Sequence, residues 1–442
     1  MKKIHCIGIG GIGVSALARY YLNQGYAVSG SDLVRSEITQ SLLKDGVDIY
    51  IGGGKPELIN ENIEKVIYSP AVGLGHPELV RARDLGLPAL SYPEALGEVS
   101  KKYFTLAVSG SHGKSTTSSL LALMLVEAGL DPTVIVGTRL KEFGGSNFRP
   151  GEGKYLVIEA DEWDRAFYNY QPQAAIITNI DEEHLDTYKN LDGVIEGFRR
   201  YVNSLPSSAV LVVNYQDGNS RQACHNFRGK IIYFNGKDEK IDWPLKLPGF
   251  FNQLNAEAAW QAAKLVGVGR ESAEKAVAQY RGAWRRLEPL EKISDSSPKV
   301  EYFSDYGHHP TEVKVTLEAL RQRYPREKIT LVFQPHQARR LTELFPNFVS
   351  AFKGADELFL LPVYRVAGRE DEGGKSSQDL TKAVVDYNQL NHLTQKVVYC
   401  PKLEETLARV KGGVVVFMGA GSIDTEVRRY FRSKLLPTEH QL

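Results

Sequence analysis

A lysine and a serine that follow a glycine, at the end of an apolar run, have the makings of a phosphate cradle. The segment GSHGKS at 110–115 follows the β-rich apolar stretch 104–108 and precedes a helix predicted over 115–128, which Gly129 stops. Glycines let successive backbone N–H groups turn inward, a helix N-terminus adds a positive dipole, and a lysine neutralises outer phosphates. Gly110, Ser111, His112, Gly113, Lys114, Ser115 and Thr116 are the candidates for holding a polyphosphate, and the Ser115 hydroxyl offers a hard oxygen to Mg²⁺. The usual motif has four residues between its glycines, whereas only two separate Gly110 from Gly113, so the match is to a shortened form. The bland alternative is a glycine-rich turn carrying a surface lysine.

A second glycine turn, GIGGIG at 8–13, has Asp32 at the end of the next apolar run. Gly8, Gly10, Gly11 and Gly13 with an acid about twenty residues on form a dinucleotide fingerprint, the acid meeting a ribose. The pyrophosphate is what such a turn recognises, so NAD(P) and a UDP-sugar both remain open, beside a turn that merely packs helix on strand. Acids follow at 159–164 (EADEWD), after the predicted strand 155–158, where a ligand-binding carboxylate belongs. One of them can hold Mg²⁺; for Glu162 and Asp164 a solvated acidic loop is the favoured reading. His184 lies among acids in TNIDEEHLD (178–186), also after a strand. Asn255 offers an amide suited to an adenine edge, Arg286 a fork for phosphate oxygens and Asp305 an acceptor for ribose hydroxyls. His336 and Arg340, in QPHQARR (334–340), suit a small carboxylate. Each of these taken singly has a cap, a surface charge or a turn as its alternative.

Parallel strands with helices on both faces must position these groups. The chain predicts strands at 3–9, 27–31, 66–68, 88–90, 104–108, 155–158, 174–178, 210–213, 329–333, 357–361, 396–399 and 414–418. A helix is expected over 13–24, and loops at 294–299 and 369–377, the latter read as mobile. The 442 residues suggest two to four domains; 42% hydrophobic and 24% charged residues fit ordinary globular cores. A net charge of +1 argues against a nucleic-acid binder. Cys6, Cys224 and Cys400 lie too far apart for a paired metal site or disulfide framework and fit a reducing compartment. No run is long enough to span a bilayer, and the first residues read as strand and turn instead of a signal peptide, so the cytoplasm is expected.

The order HCIGIGGIG, SGSHGKSTT, EADE, TNIDEEHLDTY, NQLNA, AWRR, DYGHHPTEV, FQPH and MGAGSI resembles the Mur ligase family along essentially the whole chain. DYGHHPTE and FQPH resemble the branch that joins L-alanine to UDP-N-acetylmuramate at the expense of ATP. The resemblance implies an α/β protein of three domains. These are a Rossmann-like UDP-sugar domain over 1–100, a P-loop-type ATPase domain with a parallel sheet over 101–289, and a Rossmann-like amino-acid domain over 290–442. It implies that Lys114 holds ATP phosphates and that Ser115, Glu159 and His184 serve two Mg²⁺ sites, with Mn²⁺ as the alternative ion. It further implies that Asn255, Arg286 and Asp305 complete the ATP site, and that Gly8, Gly10, Gly11, Gly13, Asp32, Ser69 and His76 hold the UDP-sugar. His309 would lie beside the reacting phosphate, while His336 and Arg340 would face the amino acid. One of the two histidines would take the amine's proton or orient it. A monomer or homodimer is expected.

Departures from the family pattern are Phe251, where a histidine is common, and Gln337 and Ala338, where arginine and tyrosine are common. The rival readings are a ligase that attaches a recycled tripeptide to the same nucleotide-sugar, an NAD-dependent oxidoreductase, and a non-catalytic nucleotide sensor.

Overall fold

The computed structural model describes residues 2–236, 240–290, 300–365, 373–410 and 412–435. Among them lie three α/β sheets, divided between two compact units. One unit comprises residues 1–246 and 253–283, the other 247–252 and 284–442.

The first sheet has the order β3-β2-β1-β4-β5, from Lys3–Ile7 (β1), Ala27–Asp32 (β2), Asp48–Ile51 (β3), Ile63–Tyr68 (β4) and Ala89–Ser91 (β5). All its pairings are parallel. The second sheet is built from Phe104–Ser109 (β6), Thr133–Leu140 (β7), Ser146–Arg149 (β8), Tyr155–Glu159 (β9), Ala174–Ile177 (β10), Val210–Asn214 (β11) and Lys230–Phe234 (β12). Its order is β12-β11-β10-β6-β9-β7-β8, and only the edge strand β8 runs antiparallel. Strand β6 reads FTLAVS and β10 reads AAII, apolar on both faces because helices cover both sides. The helix Lys114–Glu127 is likewise buried from Ser115 to Leu125, which explains why its sequence has apolar residues on every face. Asn147 on β8 ties the second sheet to the helix Ile12–Asn23 that follows β1, donating to Ser15 Oγ at 2.9 Å and accepting from Arg19 at 2.8 Å.

The other unit holds Glu288–Pro289 (β13), Val300–Asp305 (β14), Ile329–Phe333 (β15), Glu357–Leu360 (β16), Lys396–Tyr399 (β17) and Gly413–Met418 (β18), ordered β13-β14-β18-β15-β16-β17. Val332, Phe359, Val415 and Phe417 meet Ile423, Val427 and Phe431 of the helix Ile423–Leu435 in its core.

Most predicted strands are present within a residue or two, but several were unseen. Strands β3, β7, β8 and β12–β14 escaped, and β1 stops at Ile7 because Gly8 turns the chain with φ +72°. Glu288–Pro289, the last residues within the expected bounds 101–289, pair with β14 of the third sheet. The expected loop 294–299 and residues 369–372 of the other lie outside the described residues; Ser377, taken as loop, opens a helix capped by Ser376.

Candidate active site

In an open parallel sheet, ligands gather at the carboxyl ends of strands where the strand order reverses. Strand β6 is such a point, with β10 on one side and β9 on the other. It runs into Gly110–Ser115, β9 into Glu159–Glu162 and β10 into Thr178–His184, so three sequence clusters far apart in the chain converge. Gly110 and Gly113 have φ of +128° and +83°, which disfavour any side chain. A Cβ on Gly113 would also overlap Asn255 Oδ1, and one on Gly110 would overlap Thr178 Oγ1.

The Lys114 ammonium lies 2.8 Å from Gly110 O and 2.8 Å from Glu162 Oε2. Glu162 is fully buried, which overturns its reading as a solvated loop acid: Tyr188 donates to its carbonyl at 2.7 Å and the chain folds it beneath the lysine. Burial would lower the Lys114 pKa, but Glu162, Asp161 and Glu159 outweigh it and raise it. Burial holds Glu162 above the usual carboxylate range, only partly offset by Lys114. Ser115 Oγ donates to Glu159 Oε2 at 3.1 Å, while Glu159 Oε1 accepts the Gly137 N–H at 2.7 Å.

His184 lies with Asp161 and Glu162, at 4.0 and 3.6 Å. Those three residues offer ligand atoms within 4.8 Å of one another, and Glu162 Oε1 is buried with no hydrogen-bond partner among the described residues. An orphaned buried carboxylate oxygen in such a group fits a divalent cation, and the oxygen-rich donor set suits Mg²⁺ or Mn²⁺. Asp164, Arg165 and His184 all have positive φ, so strained backbone flanks this group. His112 is held by Asp181, 2.9 Å from its Nε2, and its N–H donates to Asn179 Oδ1 at 3.0 Å. Asn255 Oδ1 accepts from Thr117 at 3.2 Å, so this amide supports the loop from behind. Thr116 is buried in the first turn of the helix.

At the first sheet, β1 is the reversal point. The Gly8 turn follows it, Asp32 ends β2, and Ser69 follows β4. Asp32 accepts the N–H groups of Gly10 at 2.8 Å and Val34 at 3.2 Å, so the acid clamps the glycine turn. A Cβ on Gly10 would meet Asp32 at 2.8 Å, one on Gly13 would meet the Tyr92 ring at 2.6 Å, and Gly11 donates to Gly8 O. His76 stands at the N-cap position of the helix Pro77–Asp84, with its ring against Gly54 and its Nδ1 buried without a hydrogen-bond partner among the described residues. Sequence reading missed Glu78, buried beneath this end. Burial would raise its pKa, but hydrogen bonds from His5, Ser31 and the Lys55 N–H lower it.

In the second unit, β14, β15 and β16 lead into the remaining candidates. Asp305 accepts the N–H groups of Leu287 and Gly307, each at 2.7 Å; burial pushes its pKa up to about 6 against the pull of Arg286 and those two bonds. Its carboxylate thus fixes the chain that carries Arg286, which lies 3.2 Å from Glu312. His309 caps the helix Pro310–Arg323, its Nδ1 accepting the Thr311 N–H at 3.2 Å. Arg340 Nη1 lies 3.3 Å from His336 Nδ1, so the structure does bring these two together. Tyr364, which no local signal marked, stacks on His336.

Three family descriptions match consecutive parts of the chain: "Mur ligase family, catalytic domain" over 3–104, "Mur ligase middle domain" over 108–244, and "Mur ligase, glutamate ligase domain" over 285–421. A UDP-N-acetylmuramate–L-alanine ligase of Aquifex aeolicus is 38% identical over 455 aligned positions, covering 96% of each chain. One from Hydrogenobaculum is 35% identical over 98% of this chain and 99% of its own. The crystal structure of a UDP-N-acetylmuramate–alanine ligase from Thermotoga maritima superposes with a TM-score of 0.80 at 27% identity, covering 98% of this chain and 99% of that one. A murein peptide ligase from Psychrobacter arcticus shares the fold, with a TM-score of 0.72 at 21% identity over 99% of this chain and all of its own. With the convergence at β6 and matches that run nearly end to end, the chain belongs to the Mur ligase family.

Proposed function

We propose that this protein joins L-alanine to the carboxylate of UDP-N-acetylmuramate, converting ATP to ADP and phosphate, as a cytoplasmic step in peptidoglycan precursor synthesis. The observation that carries the reading is the meeting of Lys114, the glycine loop, Glu159 and the Asp161–Glu162–His184 group at one sheet reversal point. It is supported by the full-length similarity to alanine-adding ligases. An oxidoreductase reading leaves that whole second-sheet constellation without a purpose.

A carboxylate is a poor electrophile because its charge repels a nucleophile. One of its oxygens attacks the γ-phosphorus of ATP, ADP leaves, and the product is an acyl phosphate. The alanine nitrogen then attacks the acyl carbon, phosphate departs, and the amine gives up a proton. The first step is a matter of positioning and charge neutralisation. Lys114 and the N–H groups of residues 110–115 hold the phosphates in line. Ser115 with Glu159, and Asp161 with Glu162 and His184, would hold the magnesium, which supplies positive charge against the transferring phosphoryl group when bound. The turn around Gly8–Gly13 with Asp32, Ser69 and His76 takes the nucleotide-sugar, and His336 with Arg340 takes the amino acid's carboxylate.

The test is ADP release by the full chain with Mg²⁺, ATP and UDP-N-acetylmuramate, against alanine, glycine, serine and the tripeptide in turn. Alanine should give the highest kcat/KM. Turnover with the tripeptide alone would move the protein to the recycling ligases, and no ADP with any acceptor despite ATP binding would make it a sensor.

A further inference from the structure

His336 is held on three sides within the second unit. Arg340 Nη1 lies 3.3 Å from its Nδ1, the Tyr364 ring stacks on it at 5.5 Å and 13°, and His308 meets it edge-on at 5.9 Å. A guanidinium donates hydrogen bonds and accepts none, so Nδ1 must be the acceptor and the proton of the neutral imidazole sits on Nε2. The Tyr364 seat is built in: its N–H donates to Pro335 O at 2.8 Å and its carbonyl accepts the Gln337 N–H at 2.9 Å. Gly421 lies against the ring, and a Cβ there would overlap it. We propose that Arg340 and Tyr364 lock His336 as a neutral imidazole protonated at Nε2. It thereby serves the incoming amino acid as a hydrogen-bond donor to its carboxylate, and not as the acceptor of its amine proton. Tyr364 is then a positioning residue, Arg340 fixes the ring besides meeting the carboxylate itself, and the amine's proton leaves by another route. This rests on the proposed role of His336 at the amino-acid end.

The backbone bonds of Tyr364 survive any change of its side chain, so Tyr364→Ala removes the stack and leaves the chain path intact. Steady-state kinetics should show its KM for alanine raised about 10-fold or more, with KM for ATP unchanged and Tyr364→Phe restoring the wild-type value. His336→Leu should raise the alanine KM by about 10- to 100-fold, the worth of a charge-assisted hydrogen bond. His336→Gln, whose amide N–H reaches roughly where Nε2–H lies, should recover most of the alanine KM that His336→Leu loses. A fall in its kcat of about 10²–10⁴-fold with an unchanged alanine KM is the signature of a lost general base and would overturn the proposal. So would a Tyr364→Ala enzyme identical to wild type. Two-bond ¹H–¹⁵N spectra of histidine-labelled protein read the tautomer without turnover: Nε2–H is expected, and Nδ1–H refutes it. Wild-type ADP release that ignores alanine, with the Nε2–H tautomer present, strikes the proposed function and leaves the lock standing.

Discussion

Lys114→Met removes the cation 2.8 Å from a carboxylate that is fully buried, and the consequence should be visible in stability against pH. Burial already holds Glu162 above the ordinary carboxylate range with the lysine present, and removing that charge takes away its main electrostatic support. In the unfolded chain the same group ionises near 4.3. Above that pH the unfolded state therefore binds fewer protons than the folded one, and stability falls as pH rises. The limiting slope for one proton is about 1.4 kcal/mol per pH unit, so above the unfolded pKa the variant's stability should fall more steeply than the wild type's, up to that limit. Urea unfolding midpoints at pH 5, 6, 7 and 8 for wild type, Lys114→Met, Glu162→Gln and the double variant measure this. The steep slope should be present in Lys114→Met and absent from the double variant. Parallel curves for Lys114→Met and wild type, or a slope that persists without Glu162, refute the reasoning. ADP release in Lys114→Met should fall by at least about 100-fold at every pH.

Asp305 gives a second signature, because its folded pKa of about 6 lies above the ordinary 3.8. Its contribution is fully present below pH 4 and is lost as pH rises toward 6, by about 3 kcal/mol, and thermal midpoints of Asp305→Asn should lack this fall. Gly113→Ala should lose ATP binding measured by calorimetry, because its φ of +83° and its contact with Asn255 both oppose a methyl; wild-type affinity in that variant would contradict the loop geometry.

Several parts of the site were legible because their chemistry is local. GSHGKS announces a strand-to-helix turn through the residue types such a turn requires, and the observed helix starts at Lys114, one residue before the expected 115. Glu159 and His184 were legible as residues just past strands. Glu162 was not: nothing in EADEWD distinguishes the acid that points outward from the one swallowed beneath a lysine 48 residues away. Asp32 and Asn255 illustrate another limit. Their motifs suggested ribose and adenine contacts and said nothing of bonds within the protein, where Asp32 accepts the Gly10 N–H and Asn255 the Thr117 hydroxyl. Tyr364 carries no motif at all, and its place over His336 follows from β15 and β16 lying side by side.

By itself the sequence determined the repeating strand-to-helix architecture and the residue types at each glycine turn, since backbone freedom, helix dipoles and apolar runs act over a few neighbouring residues. The tertiary structure alone decided which strands lie adjacent, and therefore which distant side chains share a charge or a proton. Lys114 meets Glu162, and His336 meets Tyr364 and Arg340, because sheet order and burial set those distances. Electrostatic and hydrogen-bond energies fall so steeply with separation and solvent exposure that no local pattern encodes them.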